Sequence, residues 1–311
     1  MSTKESVFSI LLSRRGAFVS GEDLAKELEV SRVAVWKAIQ GLMEDGAVIE
    51  SSKGQGYRLD DPGYNQLALS SLVSIPVFYL DEVDSTNSEA RRLAASGQQA
   101  PFVVIARRQS SGRGRRGRSF ESGEGGIYLS LVVDGQMATS TQSMTTRTAL
   151  GVAKAIESLG LEVGIKWVND IYVHGRKAVG ILCEGIVSME ESRVSQVVIG
   201  VGVNWTTASF PPELEDVAVS LFPDGKAVMP KADFVALEVD SILASLKDED
   251  YLDGYRKRCF VIGRDVDVVR LESRRRAHVE AIDDEAHLVV RYEDGQVEHL
   301  SSGEVSVRPL A

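Results

Sequence analysis

The sequence predicts an α+β protein in three parts, because the spacing of apolar residues changes twice along its 311 residues. The first part has apolar residues at helical spacing, followed by two short strand-like runs. The second alternates longer apolar strands with amphipathic helices, which is typical of a mixed β-sheet with helices. The third has only short strands and turns, which predicts a small SH3-like β-barrel. We place the domains at residues 1–63, 64–262 and 263–311.

The composition is that of a globular protein and excludes several other classes. Hydrophobic residues make up 43% and charged residues 26%, which rules out collagen-like, wholly coiled-coil and disordered chains. No apolar run approaches the roughly 18 residues of a membrane span. No secretory signal pattern is present either, so we expect a cytoplasmic protein without membrane contact. The net charge is −10, so any nucleic-acid site must be a local basic patch.

The two cysteines, Cys183 and Cys259, predict free thiols. They lie far apart in the sequence and form neither a Cys-x-x-Cys motif nor a Cys/His cluster. Free thiols are ordinary in a reducing cytosol. We therefore predict no metal-ligand set in the chain.

Two short helices near the start predict a helix-turn-helix. Ser20 and Ser31 are good N-caps, and Glu29-Val30 gives a tight connection between the two helices. One face of the second helix is apolar and predicts burial. The opposite face carries residues that suit a DNA major groove, namely Arg32, Trp36, Lys37 and Gln40.

A hairpin after these helices predicts a wing. Strand-like residues 48–52 and 57–59 flank a Lys-Gly-Gln-Gly turn, in which Lys53 is the basic residue. The following Asp60-Asp-Pro-Gly63 breaks regular structure and predicts a linker.

The central and last parts are assigned from apolar runs. Central strands are predicted at 77–80, 102–106, 127–133, 165–168, 178–184 and 197–203, and helices at 146–159, 233–246 and 251–258. We expect the helices on one side of the sheet. Short strands are predicted near Val266, near Ala277, at 288–292 and at 297–300.

The segment Gly112-Arg-Gly-Arg-Arg-Gly-Arg118 is the most unusual in the chain. It holds four arginines and three glycines without a carboxylate. Glycines let a backbone wrap closely around a ligand, and arginines offer forked donors to phosphate or carboxylate. Composition alone leaves three readings open: a phosphate-binding loop, a nonspecific nucleic-acid contact or a solvated basic loop.

Two further polar segments follow or precede predicted secondary structure. Lys166-Trp-Val-Asn-Asp170 ends an apolar strand, a common position for a site, and Lys177 and Gly180 follow it. A plain β-turn with flanking charges is the alternative. Asp84-Ser-Thr-Asn87 is either a helix N-cap or a source of hydroxyl and amide groups for a polar ligand.

Taken together, these segments resemble the biotin protein ligases. The arginine segment resembles the family's Gly-Arg-Gly-Arg-Arg-Gly loop, with Gln109 before it at the family spacing. Residues 166–170 resemble the family's Lys-Trp-Pro-Asn-Asp motif, with Val168 in place of proline. Residues 84–87 and Gly202-Val-Asn204 resemble two further family motifs. The order of the three parts is similar to that of the bifunctional biotin ligases and biotin operon repressors of bacteria, and implies a class II synthetase-like central domain.

The resemblance implies a two-step reaction that uses ATP and Mg²⁺. Biotin first reacts with ATP to give biotinyl-5′-adenylate and pyrophosphate, and a lysine of the biotin carboxyl carrier protein then takes the biotinyl group. Lys177 and Arg115 are the expected catalytic cations, and Asp170 is expected to hold Mg²⁺ or to act on the acceptor lysine. The other expected binding residues are Ser85, Thr86, Asn87, Gln109, Gly112, Arg113, Gly114, Arg116, Arg118, Lys166, Trp167, Asn169, Gly180 and Asn204.

The same resemblance implies operator binding by a homodimer that forms when adenylate is bound. The expected DNA contacts are Arg32, Trp36, Lys37, Gln40 and Lys53. Residues 1–63 hold 8 basic and 10 acidic side chains, so binding would depend on dimerisation more than on bulk charge. Three alternatives stay open: a ligase that binds no operator, a biotin-sensing transcription factor without ligase activity, and a lipoate ligase or octanoyltransferase.

Overall fold

A computed structural model of the chain describes residues 1–137, 140–188, 193–270, 273–301 and 304–307. The chain divides into two compact units. The first comprises Met1–Tyr79 and Ala227–Leu237, and the second comprises Leu80–Lys226 and Glu238–Ala311. Within the described ranges, every helix is too short or too polar to cross a lipid bilayer.

The first unit contains the predicted winged helix-turn-helix. Its elements are α1 (Thr3–Ser13), α2 (Gly21–Glu27), α3 (Arg32–Glu44), β1 (Val48–Ser52), β2 (Gly56–Asp61) and α4 (Gln66–Leu72). Ser20 Oγ accepts from Asp23 N at 3.0 Å, and Ser31 Oγ accepts from Ala34 N at 3.1 Å, so both predicted caps are confirmed. The β1–β2 hairpin is the predicted wing.

Helix α3 has the two faces that the sequence predicts. Its buried residues are Val35, Ala38, Ile39 and Leu42. They pack into one apolar core with residues of α1, α2 and the wing strands. The predicted linker at 60–63 was wrong at its start, because β2 continues through Asp61, which pairs with Val48. Pro62 and Gly63 are buried.

The second unit is organised around a seven-stranded sheet in the order β3-β4-β5-β9-β8-β7-β6. Its strands are β3 (Val77–Val83), β4 (Phe102–Gln109), β5 (Ile127–Asp134), β6 (Gly164–Lys166), β7 (Asp170–Val173), β8 (Arg176–Ser188) and β9 (Arg193–Val203). Neighbours from β4 to β6 in this order are antiparallel. The carboxyl ends of β3 and β4 lie side by side, because Ser110 N donates to Val83 O and Ser111 N to Asp84 O. The sheet is therefore mixed, as predicted.

The helices lie on both faces of this sheet, so the prediction of helices on one side was wrong. Helix α5 (Thr86–Ala95) places Asn87 against Ser130 of β5. Helix α6 (Thr141–Glu157) instead places threonines 145 and 148 against Cys183 of β8. Ser130 on β5 and Leu182 on β8 both pair with Gly200 on β9, so their side chains lie on the same face of the sheet. Cys183 follows Leu182 in the strand, and its side chain therefore points to the opposite face.

The remaining elements complete the two units. Helix α7 (Lys231–Lys247) is shared by the two units, and α8 (Tyr251–Arg258) packs against α6. The last part is a five-stranded antiparallel sheet in the order β13-β12-β11-β10-β14. Its strands are β10 (Asp265–Arg270), β11 (Ser273–Ile282), β12 (Leu288–Tyr292), β13 (Val297–Leu300) and β14 (Glu304–Val307). Cys183 and Cys259 are both free thiols, as predicted.

Candidate active site

A cleft in the second unit gathers the three polar segments singled out in the sequence. It lies over the face of the sheet on which α5 packs. The predicted residues that line it are Ser85, Thr86, Asn87, Gln109, Arg113, Gly114, Arg115, Arg116, Arg118, Lys166, Trp167, Asn169, Asp170, Lys177 and Gly180. The fold therefore brings together residues from positions 85 to 180 in one concave surface, as a small-molecule site requires.

A cluster of hydroxyl and amide groups forms one end of the cleft at the start of α5. Gln109 Oε1 accepts from Thr86 N at 2.8 Å and from Thr86 Oγ1 at 3.1 Å. Ser130 Oγ lies 2.8 Å from Thr86 Oγ1 and donates to Asn87 Oδ1 at 2.6 Å. Ser85 is the N-cap by position, yet its side chain makes no capping hydrogen bond. Its hydroxyl is buried, lines the cleft and does not cap the helix, which suits contact with a small polar ligand.

Three glycines and one phenylalanine form the floor of the cleft. Gly180 on β8 pairs with Gly202 on β9, and Gly200 lies two residues before Gly202 on the same strand. A Cβ atom at Gly180 would meet the Phe120 ring at 2.9 Å, and one at Gly202 would overlap that ring. A Cβ at Gly200 would overlap Asn87 Oδ1. The absent side chains let Phe120 and Asn87 approach the strands closely, which creates an apolar wall beside the polar cluster.

The arginine loop, residues 112–118, closes on itself at the edge of the cleft. Gly114 N donates to Arg118 O at 2.7 Å, and Phe120 N donates to Gly112 O at 2.9 Å. Arg116 lies in the left-handed region with a φ of 58°, a conformation that few residues other than glycine adopt. Backbone bonds therefore fix the loop while its arginines remain half-buried or exposed.

Arg115 connects this loop to the connection between β6 and β7. Its NH1 donates to Asn169 Oδ1 at 3.1 Å, and Asn169 Nδ2 donates to Ile181 O at 2.8 Å. Arg113 lies at the other end of the loop, with its NH2 3.5 Å from Glu184 Oε2. The same carboxylate oxygen accepts from Asn87 Nδ2 at 2.8 Å. The loop is thus positioned by polar groups on both sides of the cleft.

Lys177 and Asp170 form an ion pair across neighbouring strands. Lys177 Nζ lies 2.6 Å from Asp170 Oδ1, and the two side chains are 28% and 23% exposed. The backbone of Lys177 is fixed by a bridge to Ala218. Lys166 pairs with Asp170 in the β6–β7 hairpin, so the carboxylate has a cation on each neighbouring strand. Such an arrangement concentrates positive charge and holds one carboxylate among it.

The charge of the cleft is opposite to that of the whole chain. Among its described lining residues, the basic ones are Arg113, Arg115, Arg116, Arg118, Lys166 and Lys177, and the acidic one is Asp170. The whole chain carries a net charge of −10. A concave surface with this charge attracts phosphate and carboxylate groups. Burial raises the pKa of the Cys183 thiol to about 11, which favours its protonated form, and Cys183 is not among the described residues that line the cleft.

Trp167 has two roles, because it lines the cleft and anchors the strand connection. It is 3% exposed, and its indole Nε1 donates to Ala286 O at 3.1 Å. The motif at residues 166–170 therefore spans the turn between two strands, because β6 ends at Lys166 and β7 begins at Asp170. The predicted strand at 165–168 was too long for this reason.

Two predicted residues do not line the cleft. Gly112 lies beneath it, where a Cβ would overlap Phe120 O and Ser122 Oγ. Asn204 is buried and receives a hydrogen bond from Leu221 N through its backbone oxygen at 2.7 Å. Both residues therefore support the backbone that carries the site.

Several lining residues were not predicted as site residues. They are Ser119, Phe120, Ile181, Leu182, Gly200, Val201 and Val305, together with Gly202, which the sequence singled out only as part of the Gly202-Val-Asn204 motif. The alternation of Gly200 and Gly202 on a predicted strand was an available signal, because glycine inside a strand indicates close approach of another group. Val305 lies on β14, the last described strand, and its local sequence did not indicate that it would reach the cleft.

The predicted DNA-contacting residues lie on the first unit. Arg32, Trp36 and Lys37 are exposed on α3, and Gln40 is half-buried. Trp36 is 52% exposed, which is high for a tryptophan. Lys53 is exposed in the turn of the wing.

Comparison with known proteins assigns both units to families. Residues 79–204 match the biotin/lipoate A/B protein ligase family, and residues 3–58 match a helix-turn-helix domain family. The bifunctional ligase/repressor BirA of Bacillus spizizenii is 38% identical in an alignment of 226 positions that covers 68% of each chain. The protein of the same name from Escherichia coli is 29% identical in an alignment of 315 positions, gaps included, that covers 96% of each chain.

A solved structure agrees with these sequence matches. The biotin protein ligase from Aquifex aeolicus in complex with biotin and ATP has a TM-score of 0.65 and 25% identity, over 75% of this chain and 98% of that one. The comparisons thus match both the ligase domain and the helix-turn-helix domain to known families. The chain belongs to the family of BirA-type bifunctional biotin ligase/repressor proteins.

Proposed function

We propose that the protein joins biotin to a carrier protein at the expense of ATP and represses transcription when its adenylate is bound. In the first step, biotin and ATP give biotinyl-5′-adenylate and pyrophosphate. In the second step, a lysine of the biotin carboxyl carrier protein takes the biotinyl group and AMP is released. We infer that both steps take place in the cytoplasm and in the cleft of the second unit.

The observation that carries this proposal is the chemical division of the cleft. Ser85, Thr86 and Asn87 provide short polar groups for the ureido ring of biotin at one end. Phe120 and the glycine floor provide an apolar wall for the fused rings and the aliphatic chain. The arginine loop and Lys177 provide the positive charge that a biotin carboxylate and an ATP triphosphate both need.

The adenylation step brings two anions together. A carboxylate oxygen of biotin attacks the α-phosphorus of ATP, a new oxygen–phosphorus bond forms, and the bond to the pyrophosphate leaving group breaks. In this proposal Lys177, which pairs with Asp170, and Arg115, which donates to Asn169, stabilise the negative charge on the α-phosphate as this happens. The arginine loop excludes water from the mixed anhydride, which would otherwise hydrolyse.

The donor set of the cleft fits Mg²⁺ that arrives with ATP. Mg²⁺ is usually held by one or two carboxylates together with substrate phosphates. Asp170 supplies such a carboxylate among the described lining residues, and Lys177 and Lys166 keep it beside the expected phosphate position. Bound there, the ion would neutralise phosphate charge.

The transfer step needs a neutral amine and a place for one proton. The acceptor lysine nitrogen attacks the carbonyl carbon of the adenylate, an amide bond forms, and AMP leaves. We infer that Asp170 accepts the proton that the amine loses, because it is the carboxylate among the described lining residues of the cleft.

The first unit would bind operator DNA. Helix α3 presents Arg32, Trp36 and Lys37 to solvent, and Lys53 extends from the wing, as in a winged helix-turn-helix that reads the major groove. We assign residues 1–63 to DNA binding, 64–262 to catalysis and 263–311 to an SH3-like barrel. A homodimer stabilised by bound adenylate would place two such helices on a two-part operator.

Exchange between ATP and pyrophosphate tests the first step directly. With the full-length protein and Mg²⁺, we expect rapid exchange with biotin and negligible exchange with lipoate or octanoate. Faster exchange with lipoate would instead support a lipoate ligase, the other activity in the name of the matched family. Tighter binding to its operator in the presence of adenylate would test the repressor function.

A further inference from the structure

The last sheet brings two histidines to one carboxylate. His299 Nδ1 lies 2.7 Å from Asp283 Oδ2, and His287 Nδ1 lies 3.3 Å from the same oxygen. Asp283 and His287 belong to the turn between β11 and β12, and His299 belongs to β13. One ligand atom from each of the three residues lies within 4.8 Å of the others.

The turn holds Asp283 in a fixed orientation. Its Oδ1 accepts from Glu285 N at 3.0 Å and from His287 N at 2.8 Å, which leaves Oδ2 for the two imidazoles. The carboxylate is therefore oriented by outer hydrogen bonds from the backbone, as metal-binding carboxylates are.

We propose that Asp283, His287 and His299 bind one divalent transition-metal ion, with Zn²⁺ as the expected ion. Two imidazole nitrogens and one carboxylate oxygen are a donor set that suits Zn²⁺, whereas Mg²⁺ and Ca²⁺ prefer oxygen donors alone. The ion would replace the hydrogen-bonding protons between the imidazoles and Asp283. Glu285 adds negative charge, because its Oε2 lies 3.5 Å from His287 Nδ1.

A bound ion would also stabilise the anchor of Trp167. Ala286 lies inside the same turn, is fully buried, and has a φ of 65°. Its carbonyl oxygen accepts from Trp167 Nε1 at 3.1 Å and from the Gln142 side chain. The ion would thus join the turn to β13 and restrict the turn that contacts a wall of the cleft.

Metal titration of the full-length protein tests this site. The chelator-treated protein is titrated with Co²⁺, followed by its visible absorption, and then with Zn²⁺ as a competitor. We expect one ion per chain in the wild type, and at least tenfold weaker binding in His287→Ala and His299→Ala. His278→Ala is the matched control, because His278 Nδ1 also contacts a carboxylate, Asp265 Oδ1 at 2.9 Å, without a second imidazole.

The control and the double variant decide the outcome. Wild-type-like affinity in His278→Ala, together with loss of the site in His287→Ala/His299→Ala, supports the proposal. Zn²⁺ should then raise the melting temperature of the wild type and not that of the double variant, whose circular dichroism in chelator shows whether it folds. Absence of stoichiometric binding in the wild type, or equal binding in the folded double variant, would overturn it.

Discussion

The Nζ atom of Lys177 lies 2.6 Å from Oδ1 of Asp170, and this pair joins the cation expected at the α-phosphate to the one acidic group among the described lining residues of the cleft. Each side chain is about three-quarters buried, so the pair is partly protected from solvent. The positive charge is therefore held in place before substrates bind. This preorganisation is the property on which the proposed adenylation depends.

Replacing Lys177 should remove adenylate formation. We expect Lys177→Ala to lower the rate of ATP–pyrophosphate exchange by about 100-fold or more, the usual effect of removing one charge-stabilising donor. Arg176→Ala is the matched control, because Arg176 is exposed and donates to Glu215 O on the protein surface. Near-normal exchange in Lys177→Ala would remove this lysine from the mechanism.

Replacing Arg115 should let the adenylate escape. Its bond to Asn169 positions the arginine loop, and hydrogen bonds to charged groups contribute about 1.5–3 kcal/mol. We therefore expect Arg115→Gly to release labelled biotinyl-adenylate about tenfold faster or more, while its circular dichroism shows that the variant still folds. Arg107→Ala, at an exposed arginine that contacts Glu124, should release it at the wild-type rate. Equal release rates would mean that Arg115 is only a solvated charge.

A methyl group at Gly200 should weaken biotin binding. The new Cβ would overlap Asn87 Oδ1 and displace the amide that bonds to Ser130 and Glu184. We expect Gly200→Ala to raise the KM for biotin about tenfold or more, because a buried polar group is left without its partner. Gly185→Ala, on the adjacent strand, is a fair comparison, since its Cβ would meet Val194 only at 3.5 Å. A similar KM for both variants would contradict this account of the floor.

The exposed face of α3 should affect DNA binding and not catalysis. We expect Lys37→Ala to weaken DNA binding about equally for all sequences. The slope of the logarithm of affinity against the logarithm of salt concentration should become smaller by about one. ATP–pyrophosphate exchange should stay at the wild-type rate. Lys226→Ala removes one exposed positive charge from the other unit and should leave operator affinity unchanged. Loss of exchange in Lys37→Ala would contradict the separation of the two functions.

Glu238 should make the folded state less stable as pH rises. It is fully buried, neither carboxylate oxygen has a hydrogen-bond partner, and burial raises its pKa to about 8. Above the ordinary glutamate pKa of about 4.3, the unfolded chain loses this proton while the folded chain keeps it until about pH 8. The free energy of unfolding therefore falls between these pH values. We expect Glu238→Gln to flatten that dependence in chemical denaturation, whereas an equal slope in both proteins would refute this assignment.

Local patterns were enough to predict the winged helix-turn-helix. The caps at Ser20 and Ser31 and the apolar face of α3 act within a few residues, so the sequence displays them directly. The N-cap reading of residues 84–87 anticipated the start of α5, but the helix itself was not predicted, because most of its residues are polar and its buried ones include Thr86 and Asn87. The expectation of helices on one side of the sheet was wrong because α5, which was not among the predicted helices, covers the face opposite to α6.

The candidate site was predictable where its motifs are contiguous. The arginine loop and residues 166–170 stand together in the sequence and lie together in the cleft. Phe120, Gly200 and Gly202 meet only through the register of β8 with β9, which spacing alone does not give. The meeting of His287 with His299 at Asp283 likewise depends on the pairing of β12 with β13.

The most direct test of the proposed function is the intact mass of a bacterial biotin carrier domain after incubation with this protein, ATP and Mg²⁺. Biotin and lipoate serve as parallel substrates in otherwise identical reactions. We predict a mass gain equal to one biotinyl group with biotin and no gain with lipoate. No gain with biotin, in a preparation that still binds biotin, would contradict the ligase function and would favour a biotin sensor.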